Sequence, residues 1–397
     1  MTTDPFRFVT HVVGAAVILL STQSSSAQYT NGIYAEFNTT MGSYTCRMEY
    51  AFAPKAVANF ISLANGQRSW LDLPTGVTKT NPFYNGTTFH RVIAGFMNQG
   101  GSPNGLGTDG PGYAFIDEFT PSLRHDSFGV LSSANSGPDS NGAQYFITVS
   151  AQPQLNDVHT IFGKLFGGSN VVYAINHVVT GVNDKPLTNV TVNSIAIRRI
   201  GASAIAFDIN SNSLPLVTNL NLKIAKIGTN VSLTFSNKLY ADNRLYNSTS
   251  LTNWSSGQLG IEVSGTMSGS VTQSMSGSSK YFRAAQIQYA SSTFAPKNLF
   301  GRTLTLNFTG GLGTNVSTFD AVGGGVYSWP SVGSGTTISG YTWLQDAYNG
   351  RLWPIYYSGI VPITLALNFK SATGGNFTGT AYTSPFNTPV SGTFVLP

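Results

Sequence analysis

The 397-residue chain has a single cysteine, Cys46, and only 9% of its residues are charged. One thiol makes no internal disulfide, so the folded parts must be held by core packing, with Cys46 expected in a strand as a small apolar residue. Acids are scarcer still, 16 against 21 Lys and Arg, and the net charge of +5 is spread thinly with no run of like sign. Phosphate recognition needs clustered cations, which excludes a nucleic-acid partner. No stretch reaches the ~18 consecutive apolar residues of a membrane span. What the chain has in quantity is Gly (43 residues), with Ser, Thr and Asn. That composition disfavours long solvated helices and favours strand-rich folds with many turns, and the length allows two or three domains.

The N-terminus carries Arg7 in a short polar start, an apolar run from Phe8 to Leu20 interrupted by Thr10 and His11, and the small residues Ser25-Ser26-Ala27. This reads as a secretory signal peptide over 1–27, cleaved near Ala27. The expected location is therefore outside the cytoplasm, periplasmic or extracellular, without stable membrane insertion after cleavage.

The stretch that points to chemistry is Phe89 to Gly101, FHRVIAGFMNQGG. Val92-Ile93 and Phe96-Met97 have strand character, and Gly95 supplies the break between them. If the turn keeps parity, Arg91, Met97 and Gln99 share one face of a sheet, which places a cation, a soft apolar surface and an amide together.

This stretch resembles one signature of the cyclophilin family of peptidyl-prolyl cis/trans isomerases. Ser133 to Thr148, SANSGPDSNGAQYFIT, is similar to the other, and Leu155 to Phe162, LNDVHTIF, to the segment that follows. The resemblance runs from about Ile33 to Ile200, and PFYNGTTFHRV is closer to bacterial exported members. It implies a closed antiparallel β-barrel capped by two helices. It also implies Arg91, Phe96, Gln99 and His159 as catalytic residues, with Met97, Ala134, Asn135, Phe146 and Leu155 binding a proline-containing polypeptide. No metal or other cofactor is implied. Gln154 departs from the tryptophan with which eukaryotic members grip cyclosporin.

The local pattern is read separately from the resemblance. Gly32 to Asn38 and Gly42 to Tyr50 alternate as a hairpin; Pro54, Val57, Phe60, Ile61 and Ala64, stopped by Gly66, mark a helix. Gln67 to Phe83 reads as a polar loop. Ser102 to Gly112 is glycine-rich but fits no nucleotide-binding spacing. Ile161 to Phe166 reads as a strand, Ser169-Asn170 as the cap of a helix over Val171 to Asn176, and Val190 to Ile200 as the closing strand. The first domain is thus expected over 28–200. Beyond it, 201–290 reads as a small β-sandwich, its LYNSTSLTNW and KYFRAAQIQY stretches resembling modules of large exported bacterial proteins. Residues 291–397 read as a small barrel, in which LTLNF (Leu304 to Phe308) and LALNF (Leu365 to Phe369) echo one another.

Rotation about an X-Pro bond faces a barrier of about 18–20 kcal/mol and breaks no bond. It needs a dry socket for the proline ring and a donor towards the prolyl nitrogen, which regains its lone pair in the twisted state. Arg91 supplies an always-charged donor. His159 has no acid-base step to perform and is assigned packing and hydrogen bonding; His90, His125 and Asp126 lack an activated serine and make no triad. The expected function is isomerisation in exported proteins, assisting their folding, with the C-terminal units binding a surface or protein partner. The alternative is an extracellular proline-peptide binding or adhesion protein whose β-rich half carries the main role. Trp329, Trp343 and Trp353 are further read as a carbohydrate platform or as core.

Overall fold

The computed structural model describes residues 29–137, 139–236 and, with short gaps, the chain from 241 to 396. The expected leader lies outside the described residues, as does Trp329. Strands dominate. The first eight that share a sheet are β1 (Gly32–Thr39), β2 (Gly42–Met48), β5 (Arg91–Ile93), β6 (Met97–Gly100), β7 (Val130–Ser133), β8 (Tyr145–Thr148), β9 (Ile161–Gly167) and β10 (Val192–Ile200). They run in the order β10-β1-β2-β9-β7-β8-β6-β5, antiparallel throughout, and curl around one core. The closure is partial: β5 and β10 do not share a ladder. The gap is spanned by single bridges from Thr88 to Thr191 and by Phe89 N–H donating to Val190 O at 3.0 Å. The barrel is therefore half-open, where a closed one was expected.

Two helices cap it. In α1 (Pro54–Ala64), Pro54 starts the helix and Val57, Phe60 and Ile61 point into the core. Phe60 packs on Phe37, Tyr84, Tyr145 and Phe162, all within 6 Å between ring centroids. Burying one such ring contributes about 2–3 kcal/mol. The second helix, α2 (Ser169–Asn176), starts two residues earlier than expected. Its cap is Gly168 in the left-handed region, φ 81°, and neither Ser169 nor Asn170 caps it through a side chain. A side chain at 168 would strike the Tyr44 backbone, so only glycine enters the helix there. A third, five-residue helix, α3 (Ala202–Ala206), follows β10.

Residues 67–83 are not a plain loop. They hold a hairpin of β3 (Trp70–Asp72) and β4 (Val77–Lys79), closed by Gly76 N–H to Asp72 O at 2.7 Å. Three-residue strands carry no readable alternation. What selects them is tertiary: Leu71 is fully buried against residues far along the chain.

Those distant residues belong to a second β-unit. The strands β11 (Leu216–Asn219), β12 (Leu222–Ile227), β13 (Asn230–Ser236), β14 (Ala241–Ser248), β15 (Ser255–Glu262), β16 (Ser268–Ser274) and β17 (Tyr281–Gln288) form two sheets, β11-β17-β14-β15 and β12-β13-β16. Leu233 of one sheet packs with Leu245 and Ala284 of the other, so the pair is a sandwich. The four-stranded sheet is covered on its other face too: Val217, Tyr246, Ala285 and Ile287 pack on Leu71, Tyr113 and Ala114 of the first unit. Alternation along β14 and β17 sends Leu245 and Ala284 inward and Tyr246 and Ala285 towards the first unit.

The connecting stretch is fastened as well. Arg68 Nη1 donates to Pro215 O at 2.9 Å, Lys55 Nζ to Asn212 O at 2.8 Å and Arg283 Nη1 to Thr75 O at 2.7 Å. Ala204, Ile209 and Leu214 join the core of the first unit.

Nine further strands, from Thr303–Phe308 to Asn387–Val395, form one antiparallel sheet. Strand Thr337–Gly340 pairs with both Gly325–Ser328 and Asn349–Tyr357, which joins eight of the nine into a ring. The two echoed segments lie in separate hairpins of this barrel. Among the described residues no helix is long and apolar enough to cross a membrane.

Candidate active site

The strands β5 and β6 are joined at Ala94–Phe96, with Gly95 at φ 72° and Phe96 N–H donating to Ile93 O at 3.0 Å. The register pairs Arg91 with Gln99 and Ile93 with Met97. Directly opposed residues share a face, so Arg91, Met97 and Gln99 lie together. On the far side of this hairpin, buried Asn176 of α2 fixes the turn. Its Oδ1 accepts from Gly95 N at 2.8 Å, and its Nδ2 donates to Ile93 O at 2.9 Å and to Asn98 Oδ1 at 2.8 Å.

Arg91, Phe96, Met97, Gln99, Ala134, Asn135, Phe146, Leu155 and His159 line one cavity of about 200 Å³. Phe146 enters from β8, opposite Gln99, and forms the floor with Met97. Its ring meets His159 edge-on at 5.3 Å and His125 face-on at 5.9 Å. Leu155 closes one end from a single turn of 3-10 helix, Pro153–Leu155, whose Leu155 O accepts from His159 N at 3.2 Å. Asn135 Nδ2 donates to Val158 O at 3.1 Å, tying the two rims together.

His159 Nδ1–H donates to Ser133 O at 3.1 Å, and burial lowers its pKa. The ring is held neutral and oriented. His125, fully buried, is pushed down to about 4 by burial, with Ser132 Oγ 2.7 Å from Nε2 and Asn156 Oδ1 3.2 Å from Nδ1. It sits behind Phe146 and does not line the cavity. Gln154 is turned away, donating to Gln152 Oε1 at 2.7 Å.

Two further residues at the site were not singled out in the sequence. Asp184 Oδ2 lies 3.3 Å from Arg91 Nε, in a loop where Asn183 and Asp184 both have positive φ. Nothing in a lone Asp 93 residues downstream marks it as a partner for Arg91. Gln144 is the second: its Oε1 accepts from Gln99 Nε2 at 3.2 Å, and its Nε2 donates to Gly107 O and Asp109 O at 2.9 and 3.0 Å. It hooks the glycine-rich loop to the site amide. Its place inside SNGAQYF was the available clue.

A cavity of this size has a dry floor, one fixed cation on its rim and main chain on its edge. It suits a small apolar ring attached to a peptide, and it contains no nucleophile. Residues 34–197 match the family model described as "Cyclophilin type peptidyl-prolyl cis-trans isomerase/CLD". Peptidyl-prolyl cis-trans isomerase B of Streptomyces anulatus is 46% identical over 168 residues, 42% of this chain and 96% of that protein. Peptidyl-prolyl cis-trans isomerase A of Mycobacterium tuberculosis is 45% identical over 165 residues, 41% of this chain and 91% of that protein. A cyclophilin-type isomerase of Cryptosporidium parvum, known from a crystal structure, aligns with a TM-score of 0.38 at 32% identity, covering 44% of this chain and all of that one. The chain belongs to the cyclophilin-type peptidyl-prolyl cis-trans isomerase family. It is an enzyme of that activity, with two β-units appended beyond the matched residues.

Proposed function

We propose that the cavity around Arg91 isomerises X-Pro bonds in polypeptides outside the cytoplasm and thereby assists their folding. The observation that carries this is the guanidinium of Arg91 on the rim of the same cavity whose floor is Met97 and Phe146 and whose end is Leu155. A proline ring seated on that floor brings its nitrogen to the rim. When the amide twists, the nitrogen loses its resonance and gains a lone pair that Arg91 N–H can meet. The planar ground state offers no such acceptor, so the donor lowers the barrier rather than merely tightening binding. Gln99, held by Gln144, offers its carboxamide to the substrate main chain. The edge at Ala134 and Asn135 pairs with the peptide, and neutral His159 packs against Phe146. Bringing an uncatalysed exchange of ~0.01 s⁻¹ to ~10³ s⁻¹ asks for about 7 kcal/mol, which orientation in the cavity and one well-placed donor share. The apolar run Phe8 to Leu20 and the small residues before Ala27 support export.

The test uses the secreted or periplasmic protein, with its N-terminus expected at Gln28, in a cis-to-trans exchange assay on a short X-Pro peptide. Arg91→Ala is expected to lower kcat/KM by roughly 10²–10³-fold. Its thermal midpoint should stay unchanged, because the side chain is 45% exposed. Equal rates in the two proteins sink the Arg91 assignment, and an N-terminus at Met1 sinks the export reading.

A further inference from the structure

Four aliphatic side chains left open to solvent gather on one side of Arg91. Leu106 of the glycine-rich loop and Val182 line a cavity of about 480 Å³ that shares Arg91 and Gln99 with the proline cavity. Val179 and Leu187 lie in the same short hairpin as Val182. All four are 65–85% exposed. Single exposed aliphatics are ordinary on a protein surface, whereas a cluster of them beside a binding cavity marks an interaction surface.

The hairpin is braced. Leu187 N–H donates to Val179 O at 2.9 Å and Gly181 N–H to Lys185 O at 2.8 Å, with Thr180 and Pro186 bridged between them. Opposed residues share a face, so Val179 and Leu187 stand side by side. Leu187 reaches over Gly181: a Cβ at 181 would come within 2.9 Å of Leu187 Cδ2. The apolar strip therefore continues from Val182 past Gly181 to Leu187 and Val179. At the turn, Asn183 and Asp184 take φ of 60° and 57°, and Asp184 is paired with Arg91. That pair fixes the strip relative to the proline cavity, so a segment docking there has little of the protein left to order.

We infer that this strip is a docking surface for the apolar segment that follows the proline in an unfolded polypeptide. This rests on the isomerase reading of the cavity around Arg91 and extends it from the X-Pro bond to the client chain. Continuity with the site names the occupant. The residue before the proline pairs at Ala134 and Asn135, which line the proline cavity but not the larger one. The chain after the proline then leaves past Arg91 and Gln99, between Leu106 and Val182. A folded protein keeps its apolar segments inside and an unfolded one shows them, so the strip favours chains that have yet to fold.

The experiment measures kcat/KM for the full chain on X-Pro peptides carrying four further residues, all Ser or with one Leu at each of the four in turn. The wild type should favour Leu over Ser at one or more of these positions by about fivefold. Leu106→Ser, Val179→Ser, Val182→Ser and Leu187→Ser combined should bring every such ratio to within about twofold. Should the combination fail to fold, Val179→Ser with Leu187→Ser should lower the ratio at the positions farthest from the proline. No preference for Leu at any position in the wild type, or ratios retained in the variants, overturns the inference. So does a sedimentation coefficient that rises with concentration in the wild type but not in the variants, which assigns the strip to a second copy of the chain. Failure of the wild type to accelerate even the all-Ser peptide overturns instead the isomerase reading beneath it, which the other results leave intact.

Discussion

Arg91 faces two acceptors in turn. In the free protein its Nε lies 3.3 Å from Asp184, and in the reaction we propose its N–H groups turn to the prolyl nitrogen. Both partners of this pair are 45% exposed, so its stabilising effect is at most ~1 kcal/mol. Its effect on orientation is the larger matter. An arginine held at Nε keeps its fork in one plane, so Asp184 is a positioning residue. Asp184→Asn retains the shape and the tolerance for φ 57° but removes the charge. It should lower kcat/KM about three- to tenfold with less than ~0.5 kcal/mol lost in stability. The wild-type rate should also decline with added salt while the variant's stays flat; parallel salt profiles would assign Asp184 a structural role only. At this scale the sequence was legible wherever a short motif held all partners, as in HRVIAGFMNQGG. It was silent on Asp184 and Arg244, whose partners are brought near only by folding.

Among the elements, β14 joins the two units through its alternation. Leu245 points into the sandwich; Tyr246 lies on Gly76 of the β3–β4 turn and Arg244 faces a cleft beside Gln144. Gly76 has φ 69°, and a Cβ there would come within 2.2 Å of the Tyr246 ring. Gly76→Ala should therefore cost roughly 1–3 kcal/mol by strain and overpacking. Calorimetry checks this; an unshifted midpoint contradicts the close contact. The strands β2 and β10 were readable from their alternation, and helix α1 from Pro54 at its start, the spacing of Val57, Phe60, Ile61 and Ala64 and the stop at Gly66, although nearly all of that helix is buried. The hairpin at 70–79 was unreadable because its short strands are selected by burial of Leu71 against a sheet about 140 to 220 residues away.

For the molecule as a whole, the buried histidines set the response to acid. His90 is 7% exposed and His125 fully buried, and burial pushes both down to about 4. An unfolded histidine titrates near 6.5. Above that value neither state holds the proton, and stability is flat. Between 6.5 and about 4 the unfolded chain binds it more readily, so stability falls by up to ~1.4 kcal/mol per pH unit for each group. Asp109, Asp117 and Glu118 oppose this at the lower end, because burial raises their pKa values and the folded chain protonates first as the pH drops. The thermal midpoint should stay level from pH 7 to 9 and decline from 6.5 to 5, with a shallower decline in His90→Phe. A midpoint indifferent to pH over that lower range contradicts the buried neutral rings. At this scale the mainly-β character and the two appended β-units followed from the scarcity of charge and the spacing of turns, while the first barrel followed from the family resemblance. That Arg244 of the appended sandwich lines the cleft beside Gln144 did not, since nothing local in LYNSTSLTNW points to a groove formed there.

The chain's one thiol lies fully buried on β2, in the barrel core, where burial raises its pKa strongly. An alkylating reagent needs both access and thiolate, so Cys46 is shielded twice while β1, β2 and β9 remain paired. Each labelling event therefore counts one opening of the barrel. The protein carries its own clock for the excursions of its catalytic unit, with no engineered probe and no second thiol to confuse the reading.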